Sequence, residues 1–345
     1  MDPSPRPVMA DVATRAGVSI MTVSRVLNGF PGVSDATRRR VEGAVVALGY
    51  HPNTAARVLA GGRSKTLGVI AVETEQFGPS HMLFVIEAAA RATGHLLSFV
   101  TLSANGRDMA STLQHLRDSH VEGVIIVAPV RPVVNAVNRI EGSMPLVVVG
   151  GDPSINAATV TIDQVEGARI ATQHLLDLGH HTVHHVRGPR NWIDAISRTH
   201  GWSQALRSHS APRTSSLVGD WSARGGYEAG ARLAGDPHVT AVFAANDQTA
   251  LGVIRALHDA GRSVPDDVSV VGFDDTPESG YSIPALTTVR QDFGEVGRRC
   301  VEVLLSLMDG TMGEHHIVVP TEFVVRESTA PPGERTARRR RRHRE

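Results

Sequence analysis

The chain has 345 residues, a formal net charge of zero at pH 7 and 41% apolar residues, a composition that suits a globular protein of two or three domains. No apolar run approaches the roughly 20 residues that a bilayer-spanning helix needs, so the sequence excludes an integral membrane protein. The N-terminal residues lack the apolar stretch of a secretory signal, and the single cysteine, Cys300, excludes an intrachain disulfide and a cysteine zinc site. These features predict a cytoplasmic location.

Charge is distributed unevenly along the chain. Residues 1–64 hold eight arginines against four acids, and residues 331–345 hold seven arginines against two acids. Residues 65–330 carry 20 basic and 29 acidic side chains, a formal charge of −9. A basic head on an acidic body is typical of a nucleic-acid-binding module joined to a second module, although small charge differences between segments are also common.

The first 60 residues indicate short helices with tight connections. A helix over Asp11–Ala16 and a second helix that begins after Ser19 are predicted, and Gly17 is expected to form a left-handed turn between them. Ser34 is predicted to cap a third helix, which Gly49 closes. Two short helices joined by a glycine turn predict a helix-turn-helix.

In a helix-turn-helix, side chains at the start of the second helix reach base edges in the major groove. Arg25 can donate two hydrogen bonds to a guanine edge, whereas Ile20 and Met21 can make only apolar base contacts. The residues predicted to grip phosphates are Ser19, Thr22, Ser24 and Asn28. The predicted shared core of the two helices is Ala13, Val18, Val23 and Val26. The alternative is a structural helical hairpin in which Ile20 and Met21 pack in a core.

From Thr66 onward, short apolar runs alternate with longer amphipathic stretches. The predicted strands are Leu67–Val72, Leu96–Thr101, Gly123–Ala128, Leu146–Val149, Thr182–Val186, Ala241–Ala244 and Val268–Gly272. The predicted helices are Ser80–Thr93, Met109–Ser119, Val165–Asp177, Arg224–Ala234, Gln248–Ala260 and Gly294–Asp309. This alternation predicts parallel sheets covered on both faces, and the length predicts two similar lobes with a ligand cleft at the ends of their strands.

Polar side chains follow several predicted strands and suit the recognition of ligand hydroxyls. Asn246 and Asp247 follow one strand, and Asp274 and Asp275 follow another, while Arg198 lies between Trp192 and Trp202. The alternative role for Asp247 and Asp275 is to cap loops or helices. Trp221 offers a flat apolar face to a sugar ring or another planar ligand, whereas Trp202 is expected in the core.

No other group of residues in the sequence indicates a metal-binding or catalytic site. The pairs His180-His181 and His184-His185 do not predict a metal site, because neighbouring residues of a strand face opposite ways. No catalytic triad, paired carboxylate set or phosphate-binding loop stands at interpretable spacing. We therefore predict that the chain is not an enzyme and uses neither a metal nor a cofactor.

The N-terminal motifs resemble one family closely. Asp11-Val12-Ala13, Ala16–Ser19, Thr22–Gly29 and Gly49–Asn53 are similar to the headpiece of the LacI/GalR family of bacterial transcriptional regulators. This resemblance implies that residues 53–60 form a hinge helix that folds only on operator DNA. Asn53 would contact the DNA there, and Leu59 would wedge between base pairs in the minor groove, with an apolar linker contact as the alternative for Leu59. Eight residues are indeed too few for a stable isolated helix.

One position departs from the family pattern at the first helix. Val8 stands where the family usually has a capping threonine, a loss that typically costs about 1 kcal/mol without abolishing the fold.

Segments of the core also resemble this family, namely Ala241–Leu251, Val264–Asp275 and Pro284–Val289. The implied fold class is α/β, with an N-terminal all-α helix-turn-helix headpiece and a two-lobed periplasmic-binding-protein-like core that has parallel sheets. Within the family, the core is most similar to regulators that have a galactoside inducer. The positions that match those around that inducer are Phe77, Pro79, Arg198, Trp221, Asn246, Asp274 and Phe293.

A sugar-contacting aspartate of those regulators aligns here with Gly150. Either Asp152 replaces it through a shifted loop, or the pattern of recognised hydroxyls differs.

The sequence thus predicts four segments: a DNA-binding headpiece (1–52), a hinge helix and linker (53–65), an effector-binding and dimerisation core (66–330) and a basic disordered tail (331–345). The tail either adds nonspecific DNA affinity or is simply solvated. The expected partners are a pseudo-palindromic double-stranded operator, a small-molecule effector that is a sugar or glycoside, and a second copy of the chain, with no membrane. The expected function is a ligand-controlled repressor; the alternative is a solute-binding protein that delivers a sugar to a transporter.

Overall fold

The computed structural model describes residues 7–27, 30–50, 63–72, 76–127, 129–140, 144–311, 313 and 315–332. The chain divides into two compact units, residues 1–64 and residues 65–345. The predicted roles of Asn28, Asn53 and Leu59, the hinge helix, and the tail beyond residue 332 lie outside the described residues. Within the described ranges, no helix combines the length and the hydropathy that crossing a bilayer requires.

The N-terminal unit contains three helices: α1 (Met9–Ala16), α2 (Ile20–Leu27) and α3 (Asp35–Leu48). Gly17 has a φ of +63° and makes the left-handed turn between α1 and α2 that the sequence predicts. The hydroxyl oxygens of Ser19 and Ser34 accept hydrogen bonds from the backbone N–H groups of Thr22 and Thr37 at the starts of α2 and α3. Both serine caps are therefore confirmed.

One small apolar core holds these three helices together. Its buried residues are Val12, Ala13, Ala16, Val23, Val26, Val41, Ala44 and Tyr50. Of the predicted shared core, Val18 is only partly buried. The first helix lacks a capping side chain at Val8, but the Asp11 carboxylate accepts a hydrogen bond from the Val8 N–H at 2.8 Å. Half of a reciprocal cap therefore remains.

Residues 65–332 form two α/β lobes. The first lobe has a six-stranded parallel sheet of β1 (Thr66–Val72), β2 (Leu96–Leu102), β3 (Gly123–Val127), β4 (Leu146–Val149), β5 (Ala158–Ile162) and β11 (His316–Val319), in the order β11-β5-β4-β3-β1-β2. Its helices are α4 (Phe77–Ala92), α5 (Met109–Asp118), α6 (Arg131–Val137) and α11 (Phe293–Met308). One apolar cluster lies between the sheet and the pair α4 and α11, and another lies between the sheet and the pair α5 and α6.

The second lobe has a four-stranded parallel sheet of β6 (His184–Arg187), β7 (Leu217–Val218), β8 (Ala241–Ala244) and β9 (Ser269–Val271), in the order β7-β6-β8-β9. Its helices are α7 (Gln164–Asp177), α8 (Ile193–Ser208), α9 (Ala223–Ala234) and α10 (Asp247–Asp259). An antiparallel pair, β10 (Thr288–Gln291) and β12 (Thr321–Val324), completes the lobe.

The chain passes between the lobes three times, from β5 to α7, from β10 to α11 and from β11 to β12. At the first two passages an aspartate caps the helix that follows. The Asp163 carboxylate accepts from the Glu166 N–H at 2.9 Å, and the Asp292 carboxylate accepts from the Glu295 N–H at 2.8 Å. These caps fix the points at which the chain enters each lobe.

The predicted strands and helices agree with the observed ones to within about three residues. The sequence pattern missed β5, α6, α8, the short β7 and the strands after residue 287. Arg198 consequently lies within helix α8, and not in a segment that directly follows a strand. Helix α8 escapes the apolar pattern because Arg198 and Ser203 are buried on it and Gly201 packs directly against the backbone of α7.

One histidine of each pair, His180 and His185, lies in the core. His185 is buried, its ring stacks on Phe243, and its Nδ1 lies 2.9 Å from the Phe243 carbonyl oxygen. Burial lowers the pKa of His185 to about 3. The part of the chain that the structure describes contains no group of three potential metal ligands.

Candidate effector cleft and DNA-reading helix

A cleft of about 730 Å³, including its open mouth, lies between the two lobes. All seven residues that the sequence assigned to effector binding line it: Phe77, Pro79, Arg198, Trp221, Asn246, Asp274 and Phe293. The first-lobe wall is mainly apolar and includes Phe77, Met82, Val127, Val149, Ile162, Phe293 and Val296. The second-lobe wall supplies the charged groups, so the cleft suits a ligand with one polar and one apolar side.

Four buried side chains form a closed polar ring in this cleft. Arg198 Nε donates to Gln164 Oε1 at 2.8 Å, and Gln164 Nε2 donates to Gln291 Oε1 at 2.8 Å. Gln291 Nε2 donates to Asp274 Oδ1 at 2.6 Å, and Arg198 Nη2 lies 3.4 Å from the same oxygen. The ring joins α7, α8, β10 and the segment after β9, so it fixes the orientation of Arg198 and Asp274 before any ligand binds.

Arg198 is also held by its aromatic surroundings. Its guanidinium carbon lies 3.8 Å from the centre of the Phe273 ring and 5.5 Å from the centre of the Trp221 ring. Arg198 Nη1 donates to the Ala245 carbonyl oxygen. A guanidinium sandwiched in this way is a rigid donor.

Asp274 is an unusual carboxyl group because it is only 6% exposed. Desolvation by burial raises its pKa to about 7, although the neighbouring Arg198 acts to lower it. Asp247 and Asp194 act in the same direction as burial. A carboxyl group that changes charge near neutral pH in a cleft marks a candidate functional site.

Two residues of the second-lobe wall have strained backbones. Trp221 has a φ of +72° and Asp274 a φ of +117°, values that side chains with a Cβ rarely adopt. The Trp221 ring packs directly on Gly188, where a Cβ would overlap the indole. Trp221 Nε1 is buried and has no hydrogen-bond partner in the described part of the chain. The local structure therefore holds the indole in a single place.

Three of the residues weighed in the sequence have structural roles. Asp247 accepts hydrogen bonds from the Thr276 N–H and the hydroxyls of Ser279 and Thr288, and burial raises its pKa to about 6. Asp275 forms ion pairs with two arginines of its own lobe. Trp202 is buried and donates to a backbone carbonyl. Asp247 and Trp202 thus have the structural roles named above as alternatives, whereas Asp275 makes ion pairs and not the cap that was considered.

Asn246 combines two roles. Its Oδ1 accepts from the Thr249 N–H and caps α10, while its Nδ2 donates to the Trp221 carbonyl oxygen at 3.0 Å. It lines the cleft and also holds the Trp221 segment in place.

The first-lobe position at Gly150 brings no side chain to the cleft, although its backbone lines it. Asp152 does not replace the missing carboxylate. Its Oδ1 accepts hydrogen bonds from the Ser154 N–H and hydroxyl, and its Oδ2 lies 3.5 Å from Arg131 Nη2. Of the two alternatives that the sequence left open, a different pattern of recognised hydroxyls is favoured.

Sequence reasoning missed five polar residues that line the cleft: Gln76, Thr161, Gln164, Asp194 and Gln291. Gln164 and Gln291 complete the ring around Arg198 and Asp274. Asp194 lies in the first turn of α8, and burial raises its pKa. The chain carried no local signal for these residues, because each gains its role only when distant segments meet.

The exposed face of α2 carries the side chains that were assigned to DNA. Ile20 is 52% and Met21 is 66% exposed, whereas Val23 and Val26 of the same helix are buried. The alternative that packs Ile20 and Met21 in a core is therefore wrong. Arg25 is exposed as well, and Ser19, Thr22 and Ser24 lie at or near the surface.

Comparison with known families assigns both parts of the chain. Residues 8–53 match the family described as bacterial regulatory proteins, lacI family. Residues 172–329 match the periplasmic binding protein-like domain.

Individual relatives match nearly the whole chain. The lactose operon repressor of Escherichia coli K12 is 34% identical over 330 residues, which cover 95% of this chain and 92% of the relative. The regulator CelR of Thermobifida fusca is 34% identical over 341 residues, which cover 94% of this chain and 98% of the relative.

Solved structures agree with these sequence relatives. The lac repressor dimer bound to operator and the anti-inducer ONPF superimposes with a TM-score of 0.86 at 32% identity, covering 94% of this chain and all of that one. The complex of the transcriptional regulator CelR with cellobiose superimposes with a TM-score of 0.70 at 31% identity and the same coverage. A helix-turn-helix head, a two-lobed core with three crossovers and these relatives lead to one conclusion: the chain belongs to the LacI family of bacterial transcriptional regulators.

Proposed function

We propose that this chain is a repressor whose affinity for operator DNA is controlled by a sugar or glycoside in the interlobe cleft. The observation that carries the proposal is the buried ring of Arg198, Gln164, Gln291 and Asp274 on one wall, opposite an apolar wall. Fixed donors and acceptors on one side suit ring hydroxyls, and an apolar side suits a sugar face or an aglycone. The lac repressor bound to ONPF and CelR bound to cellobiose support this effector class.

The DNA contacts are proposed to come from the exposed face of α2. Arg25 is assigned to a guanine edge, and Ile20 and Met21 to apolar contacts such as a thymine methyl. Ser19, Thr22 and Ser24 are assigned to phosphates. Their exposure beside a buried core face supports this assignment.

Regulation is proposed to work by coupling between the head and the cleft of a homodimer. The headpiece (1–52), the hinge (53–65) and the core (66–330) then act in series, so that effector binding changes how two headpieces engage a pseudo-palindromic operator. By linkage, DNA must change effector affinity by the same factor as the effector changes DNA affinity. The operator-bound dimer of the lac repressor supports a second copy as partner.

The chain is proposed to act by binding alone, in the cytoplasm, without turnover of its ligand. The ionisable groups among the described cleft residues are Asp194, Arg198 and Asp274, and the ring fixes two of them in hydrogen bonds. Incubation of the protein with a bound glycoside, followed by chromatography, should return the glycoside unchanged. Release of free sugar would contradict this part of the proposal.

The direct test uses fluorescence polarisation with labelled duplexes that tile the DNA upstream of the chain's own coding sequence. The intact chain should bind one duplex at least tenfold more tightly than a scrambled duplex at moderate salt, and a variant lacking residues 1–63 should bind neither. A panel of methyl and nitrophenyl glycosides, with purines as a control set, should contain a glycoside that shifts this affinity. Equal affinity for all duplexes would refute the regulator, and a response to purines alone would refute the sugar effector.

A further inference from the structure

Asp194 is a cleft carboxylate to which none of the described residues donates a hydrogen bond. It lines the cleft, and no hydrogen bond or ion pair to its carboxylate occurs in the described part of the chain. Other polar side chains of the cleft do have hydrogen-bond partners: the Asp274 carboxylate accepts from Gln291, and Asn246 caps a helix. A partly buried carboxylate without donors carries a desolvation cost that a ligand donor can offset.

The position of Asp194 places this acceptor where the two lobes meet. The Ile193 N–H, one residue earlier, donates to the first-lobe Pro129 carbonyl oxygen at 2.9 Å. The Arg131 N–H of the first lobe donates to the Asn191 carbonyl oxygen at 3.0 Å. Asp194 therefore lies next to the junction of the two lobes.

The described lining of the cleft has more carboxyl groups than cationic groups, and Asp194 is the carboxyl group without an ion-pair partner among them. Asp194, Asp274 and Arg198 are the charged residues among the described lining, so two carboxyl groups share one guanidinium. Arg198 Nη2 lies within ion-pair distance of Asp274, while Arg198 affects Asp194 only through longer-range attraction. Burial raises the pKa of both carboxyl groups, because the ionised form loses hydration that a hydrogen-bond donor on a ligand can replace.

The opposite wall offers little competition for such a hydroxyl. Gly150 has no side chain, and Thr161 directs its hydroxyl to the Ile162 carbonyl oxygen. Phe77 and Phe293 present aromatic rings that meet edge to face, with their centres 5.9 Å apart. Gln76 is the other polar side chain of the first-lobe lining, so the charged acceptors among the described lining residues all come from the second lobe.

We propose that Asp194 is the specificity-determining carboxylate of the cleft: it accepts a hydrogen bond from one hydroxyl of the sugar effector and so selects among sugars that differ at that carbon. This inference rests on the sugar effector proposed above. A hydrogen bond to a charged group typically changes binding by roughly 10- to 100-fold.

The test is a double-mutant cycle between the protein and its ligand, measured by calorimetry on the full chain. The probes are the methyl glycoside that binds best among those of galactose, glucose, mannose and xylose, together with its monodeoxy derivatives. For the wild type, removing one particular hydroxyl of the ligand should lower the affinity roughly 10- to 100-fold. Asp194→Ala should bind that deoxy derivative and the parent glycoside equally well. At the remaining positions Asp194→Ala should keep the wild-type penalties, because Arg198 and Asp274 are intact.

Two further variants keep this result interpretable. Asp194→Asn keeps an acceptor oxygen in the same place and should show an intermediate penalty, and it replaces Asp194→Ala in the cycle if the alanine variant binds no glycoside or does not fold. Asp118→Asn changes an exposed acid of α5 in the same way and should match the wild type.

Three outcomes would overturn the inference. Deoxy penalties that are the same in the wild type and in the Asp194 variants would overturn it alone. If an amino sugar binds more than tenfold more tightly than its neutral parent, and this preference depends on Asp194, then Asp194 recognises a cation and not a hydroxyl. A failure of every glycoside to bind the wild type would overturn the proposed effector class and this inference with it.

Discussion

Replacing Asp274 by asparagine should stabilise the ligand-free core at neutral pH while removing its response to an effector. Burial raises the pKa of Asp274 from 3.8 to about 7, so the folded chain holds a proton that the unfolded chain releases. The stability contributed by this group is complete below about pH 4 and is lost as the pH rises to about 7. Asparagine keeps an oxygen for the Gln291 Nε2 donor, which lies 2.6 Å from Asp274 Oδ1, but it cannot ionise.

The expected magnitude follows from the width of this pH window. Each pH unit between the two pKa values changes the free energy of unfolding by about 1.4 kcal/mol. From pH 5 to pH 8 the wild type should therefore lose about 3 kcal/mol that Asp274→Asn retains. His185, whose pKa is lowered to about 3, makes the free energy of unfolding rise with pH below pH 6.5. This contribution is the same in both proteins and cancels when they are compared.

Tryptophan fluorescence during urea unfolding measures this difference. All three tryptophans, Trp192, Trp202 and Trp221, lie in the core unit, so the signal reports the core and not the headpiece. The advantage of the variant over the wild type in the free energy of unfolding should grow by about 3 kcal/mol between pH 5 and pH 8. Asp118→Asn should show no such divergence. A variant advantage that does not change between pH 5 and pH 8 would refute the reasoning about Asp274.

Three other substitutions test separate parts of the structure. Val8→Thr restores the missing half of the cap opposite Asp11, so it should stabilise α1 by about 1 kcal/mol and slow hydrogen exchange of its amides about fivefold; unchanged exchange would contradict the cap. Arg25→Ala should reduce the preference for operator over scrambled DNA by roughly 10- to 100-fold in a polarisation assay and leave effector binding intact, and an undiminished preference would remove Arg25 from base recognition. Gly188→Ala places a methyl group in the space of the Trp221 ring and should weaken effector binding on the order of tenfold in calorimetry, with operator affinity unchanged. Equal effector affinity in that variant would show that the indole position does not matter.

The structure decided which cleft residues carry polar contacts. Arg198 and Asp274 were predicted from the resemblance, but their ring also needs Gln164 and Gln291, which hydrogen-bond to each other although 127 positions separate them. Asp194 carried no motif, because a carboxylate becomes a candidate ligand only when its surroundings leave it without donors. Asp247 and Asp275 followed strands as well, yet neighbouring hydroxyls and arginines occupy their carboxylates.

By itself the sequence determined the local elements of this protein and their order. Serine caps, glycine turns and solid apolar runs act over a few residues, so the headpiece helices and strands such as β4 and β8 could be predicted from their own residues. Helix α8 and strand β5 were decided by tertiary structure, because α8 buries an arginine on the side that faces the cleft and β5 pairs on one side with β11, which lies more than 150 residues later. Arg198, Asp274 and Asp194 line a common cleft because the three crossovers bring the two lobes together, and no short stretch of the chain encodes this arrangement.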